Sequence, residues 1–202
     1  SNDWNLIKKK RQFYFRNNSF LIKLNTKYIH SRGLLENLCL AIKIALDFGF
    51  DKRIITKTIP KIKFEARIQY LNKGKLVKKL NRNEKLLIDG CHSETSALNF
   101  KEYLKTLNVP LYGIWSMTKN KEPDRFISKF RGMFKKIVIL PIKNESSSLP
   151  GPLLFKIAKK NKFETEIANS IGEALKKLSS KEKKVICVFG SLYLCGNVLS
   201  KN

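Results

Sequence analysis

The sequence has 202 residues, 43% of them hydrophobic, and carries 41 Lys and Arg against 16 Asp and Glu, a formal net charge of +25. This length and apolar content suit one sizeable α/β domain plus a smaller piece. Runs such as residues 185–190 and 137–142 fall far short of the roughly 20 apolar residues a bilayer-spanning helix needs, so no membrane-spanning helix is expected. The charge taken alone points to a phosphate-rich partner, because Lys and Arg release counterions from nucleic-acid backbones. Yet only eight of the basic residues are Arg, and the Lys are scattered through every segment among many Asn and Ile, the pattern of an AT-rich coding sequence. A dedicated nucleic-acid surface carries clustered Arg with interleaved exposed aromatics. A basic nucleic-acid-binding module therefore ranks below an enzyme.

Residues 1–16 mix Trp4 and Phe13 with Lys8-Lys9-Lys10-Arg11 and hold no uninterrupted apolar core or small-residue cleavage site. They are not a secretory signal, and a cytoplasmic location is expected. The apolar triplets 13–15 and 20–22 flank Asn17-Asn18, which tolerates positive φ, and predict a β-hairpin. Leu34, Leu35, Leu38, Ala41, Ile42, Ala45 and Leu46 then recur at helical spacing, and Gly49 follows as a stop. Asp51 predicts the N-cap of a short helix ended by Pro60, which has no amide hydrogen to donate. Residues 66–70 read as extended, and a Lys-rich stretch runs to residue 85. Beyond it strands (85–89, 111–115, 137–142, 163–168, 185–189) alternate with helices (94–107, 124–134, 152–160, 171–178). Such alternation predicts an α/β, Rossmann-like, mostly parallel sheet with helices on both faces. In such sheets ligands collect at the carboxyl ends of strands. Cys39, Cys91, Cys187 and Cys195 are too widely spaced, and the two His too few, to make a local zinc site, so buried free thiols are expected.

The most informative stretch is Leu86-Leu87-Ile88-Asp89-Gly90-Cys91-His92-Ser93-Glu94, a buried-type strand running into a tight turn and a helix. It presents an Asp and a His together at a strand end. Gly90 lets the backbone turn, and the helix amino terminus favours anionic groups. In isolation, capping by Asp89 or Ser93 accounts for the same residues.

Together with three other segments, in order, this stretch resembles the Asp-Gly-Ala-His-Asn-Pro motif of folylpolyglutamate and dihydrofolate synthases, members of the Mur-ligase superfamily. His30 and Asn37, around Arg32-Gly33-Leu34-Leu35, resemble the His-Gln then Asn-Ala pattern of a helix late in the family's central ATPase domain. Ala66-Arg67-Ile68-Gln69 resembles the Gly-Arg-Leu-Gln element that opens the carboxy-terminal domain. Val188-Phe189-Gly190-Ser191-Leu192-Tyr193-Leu194 resembles the closing Val-Phe-Gly-Ser-Leu-Tyr-Leu and is the most specific match.

The resemblance implies residues 1–62 as the tail of the central ATP-binding domain, 63–85 as a connector and 86–202 as the carboxy-terminal glutamate-ligase-type α/β domain. It implies an ATP-dependent ligase that forms an acyl phosphate on folate or dihydropteroate for attack by the amine of L-glutamate. Asn37, Arg67 and Asp89 match positions that contact ATP, and His92 matches the motif histidine near the reacting groups. A guanidinium suits phosphate oxygens, while Asn and Asp suit directional hydrogen bonds to a nucleotide. Ser191 has a weaker claim, and Tyr193 is read as packing.

No Gly-x-x-x-x-Gly-Lys-Ser/Thr loop occurs in the sequence, and that loop cradles the phosphates and helps hold magnesium. The family keeps it in the amino-terminal half. The chain is therefore expected to be a carboxy-terminal part, inactive without that half, with Mg2+ bound mainly by the absent part. Ser93 and Glu94 stand where the family has Asn-Pro, Ala66 where it has Gly, and residues 118–121 where Asp-Lys-Asp is common. Glu94 would place a negative charge near a phosphate-facing helix end. A cell-wall Mur-type ligase fragment and a non-catalytic relic are the nearest alternatives within the superfamily.

Overall fold

A computed structural model of the chain describes residues 3–10, 12–26 and 28–202. Ser1, Asn2 and Arg11, which belong to the amino-terminal stretch and the basic run read above, and Lys27 lie outside the described residues. The chain divides into two compact units, Ser1–Glu65 and Ala66–Asn202.

In the first unit, β1 (Trp4–Lys9), β2 (Gln12–Asn17) and β3 (Leu21–Lys23) form an antiparallel sheet in sequence order. The expected hairpin is β2–β3. Its turn is closed by Asn17 Oδ1, which accepts from Ser19 N at 3.1 Å and Phe20 N at 2.6 Å, the side-chain mimicry that favours Asn in turns. Strand β1 was not foreseen, because Lys8 and Lys9 interrupt its apolar pattern; it forms by pairing residue for residue with β2. Helix α1 (Arg32–Asp47) is capped by Ser31 Oγ, which accepts from Leu34 N. It buries Leu35, Leu38, Cys39 and Ile42 in a cluster with Phe15 and Ile22. Gly49 at φ +78° follows the helix, a conformation glycine adopts without steric cost. Asp51 caps α2 (Lys52–Thr58), which passes into a 3-10 turn (Ile59–Lys61) holding Pro60.

The second unit contains a six-stranded sheet in the order β4-β5-β9-β6-β7-β8. Strands β5 (Glu84–Asp89), β9 (Lys184–Phe189), β6 (Leu111–Trp115), β7 (Phe134–Ile139) and β8 (Thr165–Ile167) are parallel, and β4 (Gln69–Leu71) adds an antiparallel edge. Part of the segment read as a connector, residues 69–71, is thus a strand of this sheet. Every residue of β9 is buried, as expected of a central strand covered on both faces. Leu87, Cys187, Phe189 and Trp115 pack on one side with α3 (Glu94–Lys105), α4 (Pro123–Ser128) and α5 (Gly151–Lys160). Leu86, Ile88, Ile186 and Val188 pack on the other with α6 (Ile171–Leu178) and α7 (Leu192–Leu199).

Phe189 joins the first layer. Its ring centroid lies 5.0 Å from that of Phe134, 5.1 Å from Phe130 and 6.1 Å from Phe100 and Phe126. Helix α4 is shorter than its apolar spacing predicts, ending at Ser128, and β7 starts early at Phe134. Gly132, at φ +74°, sits in the intervening turn, and Phe130 keeps its buried place without helical backbone. All four cysteines are buried free thiols. No helix among the described residues is long and apolar enough to cross a membrane.

Candidate functional site

The residues singled out in the second unit meet at the carboxyl end of β5. Asp89, only 5% exposed, spends both carboxylate oxygens on backbone. Oδ2 accepts from Ile68 N at 2.8 Å, and Oδ1 accepts from Cys91 N at 2.8 Å. Burial pushes the Asp89 pKa up, while these two donors and the neighbouring Arg67 guanidinium work against the rise. Two further bonds tie the same segments together: Gly90 N donates to Ala66 O at 2.7 Å, and Ala66 N donates to Gln69 Oε1 at 2.7 Å.

This knot holds an unusual backbone. Ala66 and Ile68, on either side of Arg67, both adopt positive φ, 55° and 49°. Left-handed backbone costs an L-residue roughly 1–2 kcal/mol, and a β-branched residue there is an outlier. Such strain persists only where surrounding contacts over-determine it, and here the Asp89 carboxylate and the Gly90 amide supply them. The outcome is a half-buried Arg67 presented from a rigid corner, with no carboxylate within ion-pair distance among the described residues. The ion pairs of this region lie elsewhere. Asp89, which the resemblance implies as a nucleotide contact, also holds the backbone flanking Arg67. The positive φ of Ala66 also supplies the physical reason for a Gly at that place in the resembling motif.

His92 follows on the same turn. Its Nδ1 lies 2.9 Å from Gly90 O, and since a carbonyl oxygen only accepts, Nδ1 carries the proton and Nε2 is left as the acceptor of the neutral ring. His92 N donates to Ser96 Oγ at 3.0 Å. Ser93 caps α3 in a reciprocal box, with Ser93 N donating to Ser96 Oγ at 2.9 Å and Ser96 N to Ser93 Oγ at 3.3 Å. A serine thus meets the capping need at this place. Glu94, the unfavourable charge of the sequence reading, is bound by Lys129 at 2.7 Å, with Arg125 at 3.8 Å. The Lys129 hydrogen bond, with the charges of Lys129 and Arg125, holds its carboxyl below the usual range.

Gly90 and Gly190 let the ends of β5 and β9 approach their neighbours. A Cβ on Gly90 would run into the Leu192 side chain, and one on Gly190, at φ +103°, into Ser116 O and the Trp115 ring. Ser191 caps α7 through Oγ, accepting from Tyr193 N at 3.1 Å. Tyr193, read as packing, is 60% exposed; the register of α7 turns Leu194, Cys195 and Val198 inward instead. Trp115 Nε1 and Ser116 Oγ are buried beside this point without a hydrogen-bond partner among the described residues, a feature that the apolar run 111–115 did not announce. Asn37 lies in the first unit, exposed on α1. The structure therefore brings Arg67, Asp89 and His92 together and leaves Asn37 in the other unit. Among the described residues no group of three His, Cys, Asp or Glu is placed to hold a metal ion.

No family model and no curated protein matches the chain. Solved structures do. Folylpolyglutamate synthase of Mycobacterium tuberculosis, complexed with ADP and AMPPCP, is similar at a TM-score of 0.83 and 13% identity, over 98% of this chain and 48% of that one. This chain has the fold of the carboxy-terminal part of a folylpolyglutamate synthase. The Thermotoga maritima folylpolyglutamate synthase gives 0.75 at 20% identity, over 98% and 46% of the two chains. The bifunctional folylpolyglutamate/dihydrofolate synthase of Yersinia pestis, complexed with AMPPNP and Mn ion, gives 0.75 at 10%, over 98% and 45%. The chain spans about half the length of the structures it matches.

Proposed function

We propose that the chain is the carboxy-terminal part of an ATP-dependent ligase that adds L-glutamate to folate or dihydropteroate. The observation that carries this reading is Arg67, held unpaired between two strained residues by the Asp89 carboxylate at a strand end. Such a guanidinium fits a phosphate: its backbone is fixed, it makes no ion pair with a carboxylate among the described residues, and an Arg fork matches phosphate oxygens two at a time. The nucleotides and metal ion named with the similar structures support ATP with a divalent cation.

In this reading a substrate carboxylate takes the terminal phosphoryl group of ATP and releases ADP. The glutamate amine then attacks the acyl carbon, phosphate leaves, and the amine loses a proton. Arg67 stabilises charge on the phosphoryl oxygens. Asp89 is a positioning residue for Arg67, and His92 Nε2 is the acceptor available to the amine. Asn37, in the first unit, keeps the role of nucleotide contact that the resemblance implies. Magnesium and the phosphate-cradling loop come from the amino-terminal part of the enzyme, so residues 1–202 alone are inactive, and the whole works in the cytoplasm.

The test is glutamate-dependent ADP release with dihydropteroate or folate as acceptor, by this chain alone and together with a P-loop-bearing amino-terminal part. We expect none from the chain alone and turnover from the pair, lowered at least ~100-fold by Arg67→Ala, as for loss of one charge-stabilising donor. Turnover by the isolated chain would refute its dependence on the other half. Unchanged turnover in Arg67→Ala would remove the assignment of that residue.

A further inference from the structure

A second concavity lies at the opposite end of the sheet. It has a volume of about 310 Å3 and sits where β5 and β9 begin, beneath the loop that joins α3 to β6. Lys85, on its rim, lies four residues before Asp89 along β5, about 13 Å at roughly 3.3 Å per residue. Neither Arg67 nor His92 lines it.

Its floor is apolar, made by Leu107, Val109 and Val185 with the half-buried Tyr70 ring beside them. Its rim is cationic: Arg82, Lys85 and Lys183 all line it and all are exposed. Lys85 and Val185 are register partners across β5 and β9, which brings rim and floor side by side. Among the described residues no carboxylate lines the concavity. The adjacent one, Glu84, is buried and bound to Lys184 at 3.3 Å, and Lys184 also donates to Ser180 Oγ and to the Leu178 carbonyl. That pair is a closed structural unit and offers the rim cations no partner. Elsewhere in the same unit surface lysines find acids: exposed Lys135 meets Glu182, exposed Lys160 meets Asp124, and half-buried Lys177 meets Glu166.

We infer that this concavity binds a phosphorylated small molecule with a flat apolar body. A phosphate dianion offers several oxygens to cations approaching from different sides, and Arg82 can engage two of them at once. The apolar floor gives the body of the ligand a surface to cover, and the volume is in the range of small-molecule sites. Three like charges around a concave, partly apolar surface repel one another, and a multivalent anion offsets that repulsion. The inference goes beyond the ligase reading and does not depend on it.

Calorimetric titration of the full chain with 1-naphthyl phosphate, and separately with inorganic phosphate, tests it. The aromatic phosphate should bind at least tenfold more tightly than inorganic phosphate. The triple variant Arg82→Gln, Lys85→Gln, Lys183→Gln should weaken it at least tenfold. The triple variant Lys156→Gln, Lys162→Gln, Lys176→Gln, with the same loss of charge on other surfaces, should change it less than twofold. Both triples leave Arg67 in place, so binding at the strand-end turn would survive them. Val109→Trp, which fills the floor, should abolish the advantage of the aromatic phosphate, and it decides the matter if the first triple does not fold. Absence of binding, equal affinity for the two phosphates, or equal losses in both triples would each overturn the proposal.

Discussion

The two units bury their apolar residues very differently. Ala66–Asn202 sandwiches a sheet between helices on both faces and encloses two separate cores, one of them knitted by four phenylalanine rings around Phe189. Among its described residues Ser1–Glu65 has one small core between three strands and two helices, and it leaves Leu40 and Ile44 of α1 48% exposed and Phe48, just after the helix, 79% exposed. The larger buried cores thus lie in the unit that carries Arg67, Asp89 and His92, while Asn37 sits on α1 of the other. Preorganisation of the strand-end turn is affordable where the surrounding core is large.

The sharpest way to break this contrast is to truncate one phenylalanine in each unit. Phe189→Ala should cost about 3–5 kcal/mol, the range for a buried aromatic, whereas Phe48→Ala should stay within about 0.5 kcal/mol; urea denaturation of the full chain reads both. Equal losses would mean that the burial contrast does not govern stability. Next in size is Asp89→Asn. One amide oxygen can still accept, but the NH2 group faces a backbone N–H, and loss of a charged acceptor should cost about 2–3 kcal/mol. Hydrogen exchange at the Ile68 and Cys91 amides should rise together, and protection unchanged at both would remove the clamp.

A smaller effect of opposite sign is expected at residue 66. Ala66→Gly should stabilise the protein by about 1 kcal/mol, because glycine accepts the φ of 55° without steric cost. A lower melting temperature would show that the strain is not there. The smallest change is pH-dependent. Lys136 and Lys177 hold the Glu166 carboxyl down to about 2, from an ordinary value of 4.5. A depressed folded-state pKa contributes stability that is complete above the unfolded value and lost as pH falls. The urea midpoint difference between the native chain and Glu166→Gln should therefore shrink between pH 4.5 and about 2, and a constant difference would rule the effect out.

Much of the second unit is legible in the sequence because each strand is a short apolar run bounded by turn residues. Residues 85–89, 111–115 and 185–189 predict β5, β6 and β9 almost residue for residue. Strand β1 escaped because pairing with β2 makes it a strand, and pairing partners are not written in a local window. At the site, the local pattern showed that Asp89 and His92 share a turn, and it missed what Asp89 does there. Its partners, the Ile68 and Cys91 amides, are backbone groups and leave no residue-type signature. The one written hint was an alanine where the resembling motif has glycine. The closing segment 188–194 was the most specific match, and much of that specificity is architectural: Phe189 fills the core, Gly190 admits the Trp115 ring, and Ser191 caps α7.

The place of β9 has a consequence for how the chain is made. It lies between β5 and β6, yet it is synthesised after β6, β7, β8 and the helices between them. Until it emerges, β5 and β6 have no strand between them, and their inward-facing edges stand open to other chains. Closing the sheet is a long-range event that waits for β9, the kind of contact that folds slowly. The apolar segment 185–189 is therefore the point at which a nascent chain has most to gain from a chaperone.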